Sequence, residues 1–305
     1  MTAIAEDWLN GLVDKVRPHL GAGKVSTYLP ELRQANSGDL AVAVDLGQGC
    51  LRTAGNVDAR FTVQSVVKVF TLLLALHFRG EEQVFARVGR DQAIGSYDSL
   101  ETFIRGSGVP VNPFVNAGAL VVVDMLPGTG PDERVGEVLE LVRALTGNPG
   151  ITFDQSTARS EFVLAERNRA LAYFLRSQGL ISTEIEELLW AYCQVCAIEV
   201  DVVDLARAGY VLAGGADVAF GGRLLRADHV RLVRRLMLFA GMYEASGRYA
   251  CEVGIPAKCG VSGAMIGVVP HRAGVGIYGP ALDECANSIG GLRLMRLLAQ
   301  ALDVE

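Results

Sequence analysis

A serine and a lysine three residues apart, Ser65 and Lys68, sit within the apolar stretch Phe61-Thr62-Val63-Gln64-Ser65-Val66-Val67-Lys68-Val69-Phe70. On a helix, positions i and i+3 share a face, so the two side chains can meet. A serine hydroxyl is a weak nucleophile until a neighbour takes its proton. A lysine kept from water can do that, because desolvation disfavours its charged form. Residue usage sharpens the point: of 28 Lys and Arg residues only Lys15, Lys24, Lys68 and Lys258 are lysines. Arginine cannot serve as a neutral base, and lysine can. By itself the window reads equally well as a buried helix whose lysine snorkels to the surface.

The elements that would position this pair follow from patterning. Residues 3–17 alternate apolar and charged positions at helical spacing, with Pro18 as the stop. A loop carries Tyr28, which Pro30 biases towards extended backbone through Leu29. The run Leu40–Leu46, then Gly47-Gln48-Gly49, then Cys50–Gly55 predicts a β-hairpin. The Ser65–Lys68 helix runs to about Phe78, and the sequence to about residue 214 reads mostly helical. Helices are predicted through Met125, over Asp132–Leu145, over Asn168–Gln178 with Gly179 as stop, after a capping box at Thr183-Glu184-Ile185-Glu186, and over Val202–Ala213. Gly260–Val269 and Gly274–Gly279 predict a second hairpin, and a helix over Ser288–Leu302 closes the chain. Strands at both ends with helices between suggest one sheet built from both termini and a helical insertion.

Composition bounds the class. Half of the 305 residues are hydrophobic and 20% charged, which suits a packed globular enzyme. A formal charge of −6 and the lack of any basic run argue against nucleic-acid binding; the densest stretch, Arg231–Arg235, reads as the solvated face of a helix. The acidic start is no signal peptide, and no apolar run reaches the length of a membrane span. The expectation is a cytoplasmic, membrane-free protein whose six cysteines are thiols. Cys193-Gln194-Val195-Cys196 has no second pair and no histidine at ligand spacing, so no metal site is expected.

Taken together, an ordered set of motifs resembles the bacterial-type glutaminases. They are Tyr28-Leu29-Pro30-Glu31-Leu32, Gln64-Ser65-Val66-Val67-Lys68 and Asn112-Pro113 through Ala119, then Ser160-Glu161 with Arg167-Asn168, Tyr192 and Cys196. Gly241-Met242-Tyr243 with Ser246-Gly247, Pro256-Ala257-Lys258-Cys259-Gly260-Val261-Ser262-Gly263, Leu282-Asp283-Glu284 and Asn287-Ser288 complete the series. The resemblance spans nearly the whole chain. It implies an α+β, β-lactamase/transpeptidase-like fold: a single domain over 1–305, with an α/β lobe (about 1–75 and 215–305) and a helical lobe (about 76–214). It also implies homo-oligomerisation, which no sequence feature shows.

The resemblance further implies hydrolysis of L-glutamine to L-glutamate and ammonia through an acyl-enzyme on Ser65, with Lys68 as general base and no cofactor. Tyr28 and Tyr243 match tyrosines at the reaction centre, either of which could relay a proton to the leaving nitrogen. The backbone amides of Ser65 and Val261 match an oxyanion hole. Glu161 is the partner for the substrate's ammonium, with Asn116, Asn168 and Tyr192 as polar contacts. Singly, each has a plain alternative: core aromatics for the tyrosines, a surface carboxylate for Glu161, helix caps for the asparagines. Three positions depart from the pattern. Cys259 stands where the family usually has Ser, Asn287–Gly291 lacks the usual Arg, and Asn56 follows Gly55 in place of Asp. Two other readings remain open: another serine hydrolase of the β-lactamase fold, and a non-catalytic amino-acid-binding regulatory protein. Retention of both Ser65 and Lys68 weighs against a mere binder.

Overall fold

Alternation along the first predicted hairpin decides how the sheet is built. The computed structural model describes residues 4–92 and 108–302. Strands β1 (Ala41–Asp45) and β2 (Leu51–Gly55) pair antiparallel, Val42 opposite Ala54 and Val44 opposite Arg52. Short strands β3 (Phe61–Thr62) and β4 (Glu199–Val200) pair with each other, as do β5 (Ala219–Phe220) and β6 (Arg223–Leu224). Strands β7 (Ala257–Cys259), β8 (Ala264–Val269) and β9 (Ala273–Tyr278) join the hairpin in a five-stranded antiparallel sheet of order β2-β1-β9-β8-β7. The expected sheet from both ends of the chain is therefore present.

Both faces of this sheet are covered, so β1, β8 and β9 read as continuous apolar runs. Period two still sorts their side chains. Ala41, Ala43, Ala264, Ile266 and Val268 join the core shared with the middle helices. Val42, Val44, Met265, Val275 and Ile277 join a second core with Leu9, Leu12, Leu294 and Leu298 of the first and last helices. The glycines of β9 make the first contact possible. A Cβ on Gly274 would lie 2.0 Å from the Ala206 carbonyl oxygen, and one on Gly276 would lie 2.0 Å from that of Val202. The Val202–Leu212 helix therefore lies directly on the strand.

The helix Val67–Phe85 is buried on every side from Val67 to His77, as a helix with apolar residues on all its faces must be, and Lys68 is buried with them. It runs past the expected end at Phe78, interrupted at Gly80, where φ is +79°. Helices Asn116–Asp124, Pro131–Thr146 and Ala227–Ala240 pack against it; Glu166–Ser177 and Ile185–Cys196 pack on Asn116–Asp124, and Gln155–Val163 on Ile185–Cys196.

Several local expectations shift. Pro18 does not end the chain's first helical stretch but lies inside a 3-10 helix, Arg17–Ala22, that follows Glu6–Val16. The predicted cap at Thr183 moves by one residue: Glu184 caps the helix, accepting from the Glu186 and Glu187 amides, while the Thr183 amide is taken by Asp124. A reciprocal capping box forms instead at Asp201 and Asp204. Strand β4 was not expected, because two residues between helices are too few to show a period. Arg234, in the stretch read as solvated, is buried and donates to the Ala213 carbonyl.

Candidate active site

Ser65 owes its position to a strained turn. Gln64, just before it, holds a left-handed backbone at φ +47°, costly for any residue but Gly. This turn, Gln64–Val66, leads from β3 into the buried Val67–Phe85 helix. Ser65 thus stands at a helix start, where amides lack intrahelical partners and the dipole is positive. The turn between β7 and β8 presses against it. A Cβ on Gly260 would meet the Val63 carbonyl oxygen at 2.5 Å and the Ser65 amide nitrogen at 3.2 Å. Ser262 Oγ donates to the Thr62 carbonyl at 2.6 Å, tying the two turns together. Val261, between those glycine and serine residues, lies in this turn and not on a strand.

A cleft of ≈ 770 Å³ opens here, and Tyr28, Ser65, Asn116, Glu161, Asn168, Tyr192 and Val261 all line it. Seven of the nine residues singled out from sequence therefore share one wall, although their positions span most of the chain. The other two, Lys68 and Tyr243, are buried behind it.

Lys68 is 1% exposed, and burial, reinforced by the positive charge of Lys258, lowers its pKa to about 7. Its Nζ donates to Asn116 Oδ1 at 2.7 Å and to the Phe114 carbonyl at 3.2 Å. Asn116 in turn donates through Nδ2 to Asn168 Oδ1 at 3.0 Å, which fixes both amide orientations. The asparagines are not helix caps but links between the lysine and the cleft.

Glu161 is 3% exposed, not a surface carboxylate, and burial pushes its pKa up to about 8 against a hydrogen bond from Gln64 and the charge of Lys68. Its Oε2 has no partner. Tyr192 is buried too, its phenol pushed well above its ordinary pKa by burial.

Tyr28 is 41% exposed at the cleft. Its loop is held from two sides. Arg33 donates through Nε and Nη2 to the Thr27 carbonyl, and Glu31 Oε1 accepts from Ser156 Oγ at 2.8 Å and Ser160 Oγ at 2.7 Å. Those serines belong to the helix that carries Glu161, so the Tyr28 loop is tied to the element that bears the carboxylate.

Tyr243 has a strained φ of +51°, and its hydroxyl donates to the Cys259 carbonyl at 3.3 Å. The Cys259 thiol points away from the cleft, towards Asn287 Oδ1 and the Gly241 carbonyl. The departure from the family's usual serine therefore alters support behind the site, not the reacting surface. Gln64, Glu31 and Asn287, which the family motifs contain without a stated role, take structural parts here. Among the described residues, no group of three or more His, Cys, Asp or Glu is arranged to hold a metal ion, and no helix is long and apolar enough to cross a membrane.

Comparison with known proteins gives the constellation its context. A family model described as Glutaminase matches residues 23–305. The glutaminase of Shouchella clausii is 43% identical over 302 residues, covering 98% of each chain. That of Geobacillus thermodenitrificans is 40% identical over 295 residues, 96% of each. Among solved structures, a probable glutaminase of Bacillus subtilis superposes with a TM-score of 0.90 at 34% identity, over 98% of this chain and 97% of that one. A Bacillus subtilis probable glutaminase complexed with 6-diazo-5-oxo-L-norleucine gives 0.88 at 33%, over 100% and 97%. A Bacillus subtilis glutaminase is also known as a covalent complex with 5-oxo-L-norleucine, with a TM-score of 0.88 at 34% identity, over 98% and 99%. A chain matched along nearly its whole length by this family, with the same β-lactamase-like fold, belongs to the glutaminase family.

Proposed function

We propose that the cleft hydrolyses L-glutamine to L-glutamate and ammonia through an acyl-enzyme on Ser65. The observation that carries this reading is the buried, unpartnered Oε2 of Glu161 in the same cleft as Ser65. A buried carboxylate oxygen without a partner is costly unless a cation completes it. The α-ammonium of an amino acid is such a cation. Its arrival would favour the ionised carboxylate, so binding draws the pKa of Glu161 down from about 8. Asn116, Asn168 and Tyr192 surround the remaining polar atoms. The covalent Bacillus subtilis complex supports a nucleophilic route, since 5-oxo-L-norleucine carries its carbonyl at the carbon where glutamine carries its amide.

Lys68 is arranged as a base. A neutral amine has two N–H donors and one lone pair. The two donors are occupied by Asn116 and Phe114, which leaves the lone pair for the Ser65 proton. A pKa near 7 keeps much of that amine neutral near neutral pH. Attack of Ser65 Oγ on the amide carbon would form a tetrahedral oxyanion, received by the backbone amides of Ser65 and Val261. Gly260 supports this, because only a residue without Cβ lets that turn approach the Ser65 amide so closely. The C–N bond then breaks, nitrogen leaves as ammonia after accepting a proton relayed by Tyr28 or Tyr243, and water hydrolyses the acyl-enzyme.

The sheet lobe and the helical lobe act here as one domain, with Ser65 at their junction. Six free thiols support a reducing, cytoplasmic address. Homo-oligomerisation follows from the family resemblance alone. The decisive test is ammonia release from L-glutamine, with Ser65→Ala in parallel. Release that falls by about 10³-fold or more in the variant supports the reading. A folded wild type that binds glutamine without turnover would instead make it a binding protein, and hydrolysis of a chromogenic β-lactam would make it another hydrolase of this fold.

A further inference from the structure

One lip of the cleft is a single strip of chain, Lys24-Val25-Ser26-Thr27-Tyr28. Its first end is fixed to the sheet side, where the Lys24 and Leu282 backbones pair at 3.0 and 2.9 Å. Its other end runs into a rigid turn. Leu29 is fully buried, Pro30 locks its own φ, and the Arg33, Gln34 and Ala35 amides donate to the Leu29, Glu31 and Leu32 carbonyls. Tyr28 is joined directly to that turn, so what holds the turn also aims the ring. Glu31 does the holding. Its Oε1 accepts from Ser156 Oγ at 2.8 Å and from Ser160 Oγ at 2.7 Å, four residues apart and so on one face of the helix that carries Glu161. Oε2 is buried without a partner, so one oxygen carries both bonds. Burial opposes the charge of Glu31, but bonds from Ser160, its own backbone and Ser156 hold its pKa below the usual carboxylate value. The acceptor is therefore ionised at neutral pH and its bonds are charge-assisted.

We propose that Glu31 is a positioning residue for hydrolysis: by binding Ser156 and Ser160 it holds Tyr28 at a fixed place in the cleft relative to Glu161. This deepens the proposed reaction and rests on its placement of Tyr28 at the reaction centre. Glu31 is not among the residues lining the cleft, so it acts through Tyr28. The ring itself is 41% exposed, so packing fixes it only in part and its aim comes from the backbone that carries it. A proton relay works only within hydrogen-bond reach, and a misplacement of about 1 Å can cost about 10²-fold in rate. Without Glu31 the strip keeps its Lys24 and Leu29 anchors but loses both bonds to the helix of Glu161.

The test is Glu31→Ala in the full chain, beside Glu31→Gln, whose amide oxygen still accepts from both hydroxyls. Expected is a kcat/KM loss for glutamine of roughly 10-fold or more per folded molecule in Glu31→Ala, and a value within about threefold of wild type in Glu31→Gln. In a Tyr28→Phe background the Glu31→Ala loss should shrink by at least about threefold, because the hydroxyl it places is already gone. A smaller reduction there, or no loss in the first place, overturns the proposal. Fluorine NMR of the fluorotyrosine-labelled protein gives a readout that needs no turnover. The chain has eight tyrosines, and Tyr28→Phe identifies the Tyr28 line. Glu31→Ala should move or broaden that line, and Glu31→Gln should leave it in place. A line that Glu31→Ala leaves unmoved overturns the proposal. If Glu31→Ala does not fold, Ser156→Ala with Ser160→Ala removes the same bonds from the other side and is read by the same line. An inactive wild type whose Tyr28 line moves in Glu31→Ala would sink the proposed reaction alone, and an active one with an unmoved line would sink only this inference.

Discussion

Asp124 and Glu161 are both buried carboxylates, and they have opposite fates. Asp124 ends the helix Asn116–Asp124 and is met from three sides: Arg87 Nη2 at 2.7 Å, the Ser182 amide at 3.2 Å and the Thr183 amide at 2.9 Å. Burial alone would raise its pKa, but the bonds from Thr183 and Arg87 outweigh this and hold it below the usual carboxylate value. Glu161 has an oxygen with nothing to accept from, and burial carries its pKa to about 8. The first carboxylate is a finished joint that ties three segments together. The second leaves one oxygen unpartnered, which on the proposed reading the substrate's ammonium would meet. Satisfaction, not burial, separates a structural carboxyl from a binding one.

Replacing each in turn should pull the two apart. If Glu161 takes the substrate's ammonium as proposed, Glu161→Gln is expected to lower kcat/KM for glutamine by about 10²- to 10³-fold through loss of that buried counter-charge. The same change should leave the melting temperature equal or higher. A clear loss of stability instead would make Glu161 a structural group like Asp124. Asp124→Asn should do the reverse, destabilising the fold by about 3 kcal/mol through the stranded Arg87. Steady-state rates per folded molecule should stay near wild type, and denaturant titration checks the energy.

The pH dependence of stability separates them with opposite sign. The pKa of Glu161 is raised on folding, so the stability it contributes is fully present below about 4.5 and is lost as pH rises towards about 8. The pKa of Asp124 is lowered, so its contribution is present above the unfolded value of 3.8 and disappears as pH falls through the folded value. Melting temperatures of wild type and Glu161→Gln should draw apart as pH rises from 5 to 8, whereas those of wild type and Asp124→Asn, apart at neutral pH, should draw together as pH falls below 4. The smallest effect expected is that of Cys259→Ser. A hydroxyl bonds Asn287 more strongly than a thiol does, so stability should change by less than about 1 kcal/mol, and kcat by a factor of about two. A tenfold change in kcat would mean the residue reaches the reacting atoms.

The hairpins, the closing helix and the Ser65–Lys68 pair were legible because their signals are local. The apolar run Leu40–Leu46 before Gly47-Gln48-Gly49, glycines flanking β9 and the apolar stretch around Ser65 and Lys68 all lie within a few turns of chain. The family motifs then marked Tyr28, Asn116, Glu161, Asn168, Tyr192, Tyr243 and Val261 as types and positions. Strand β4 was illegible because two residues carry no period. The cap at Glu184 was misread by one residue because Asp124, nearly sixty positions earlier, claims the Thr183 amide.

By itself, then, the sequence determined which chemistry-bearing residues exist and which elements carry them, since propensity and periodicity act between near neighbours. Tertiary structure alone decided which of those groups lack partners. Glu161 has an unpartnered oxygen and Lys68 a lowered pKa only because segments far apart in the chain bury them together. Desolvation and Coulomb energies depend on every atom within a few ångströms, and that neighbourhood does not exist until the chain has folded.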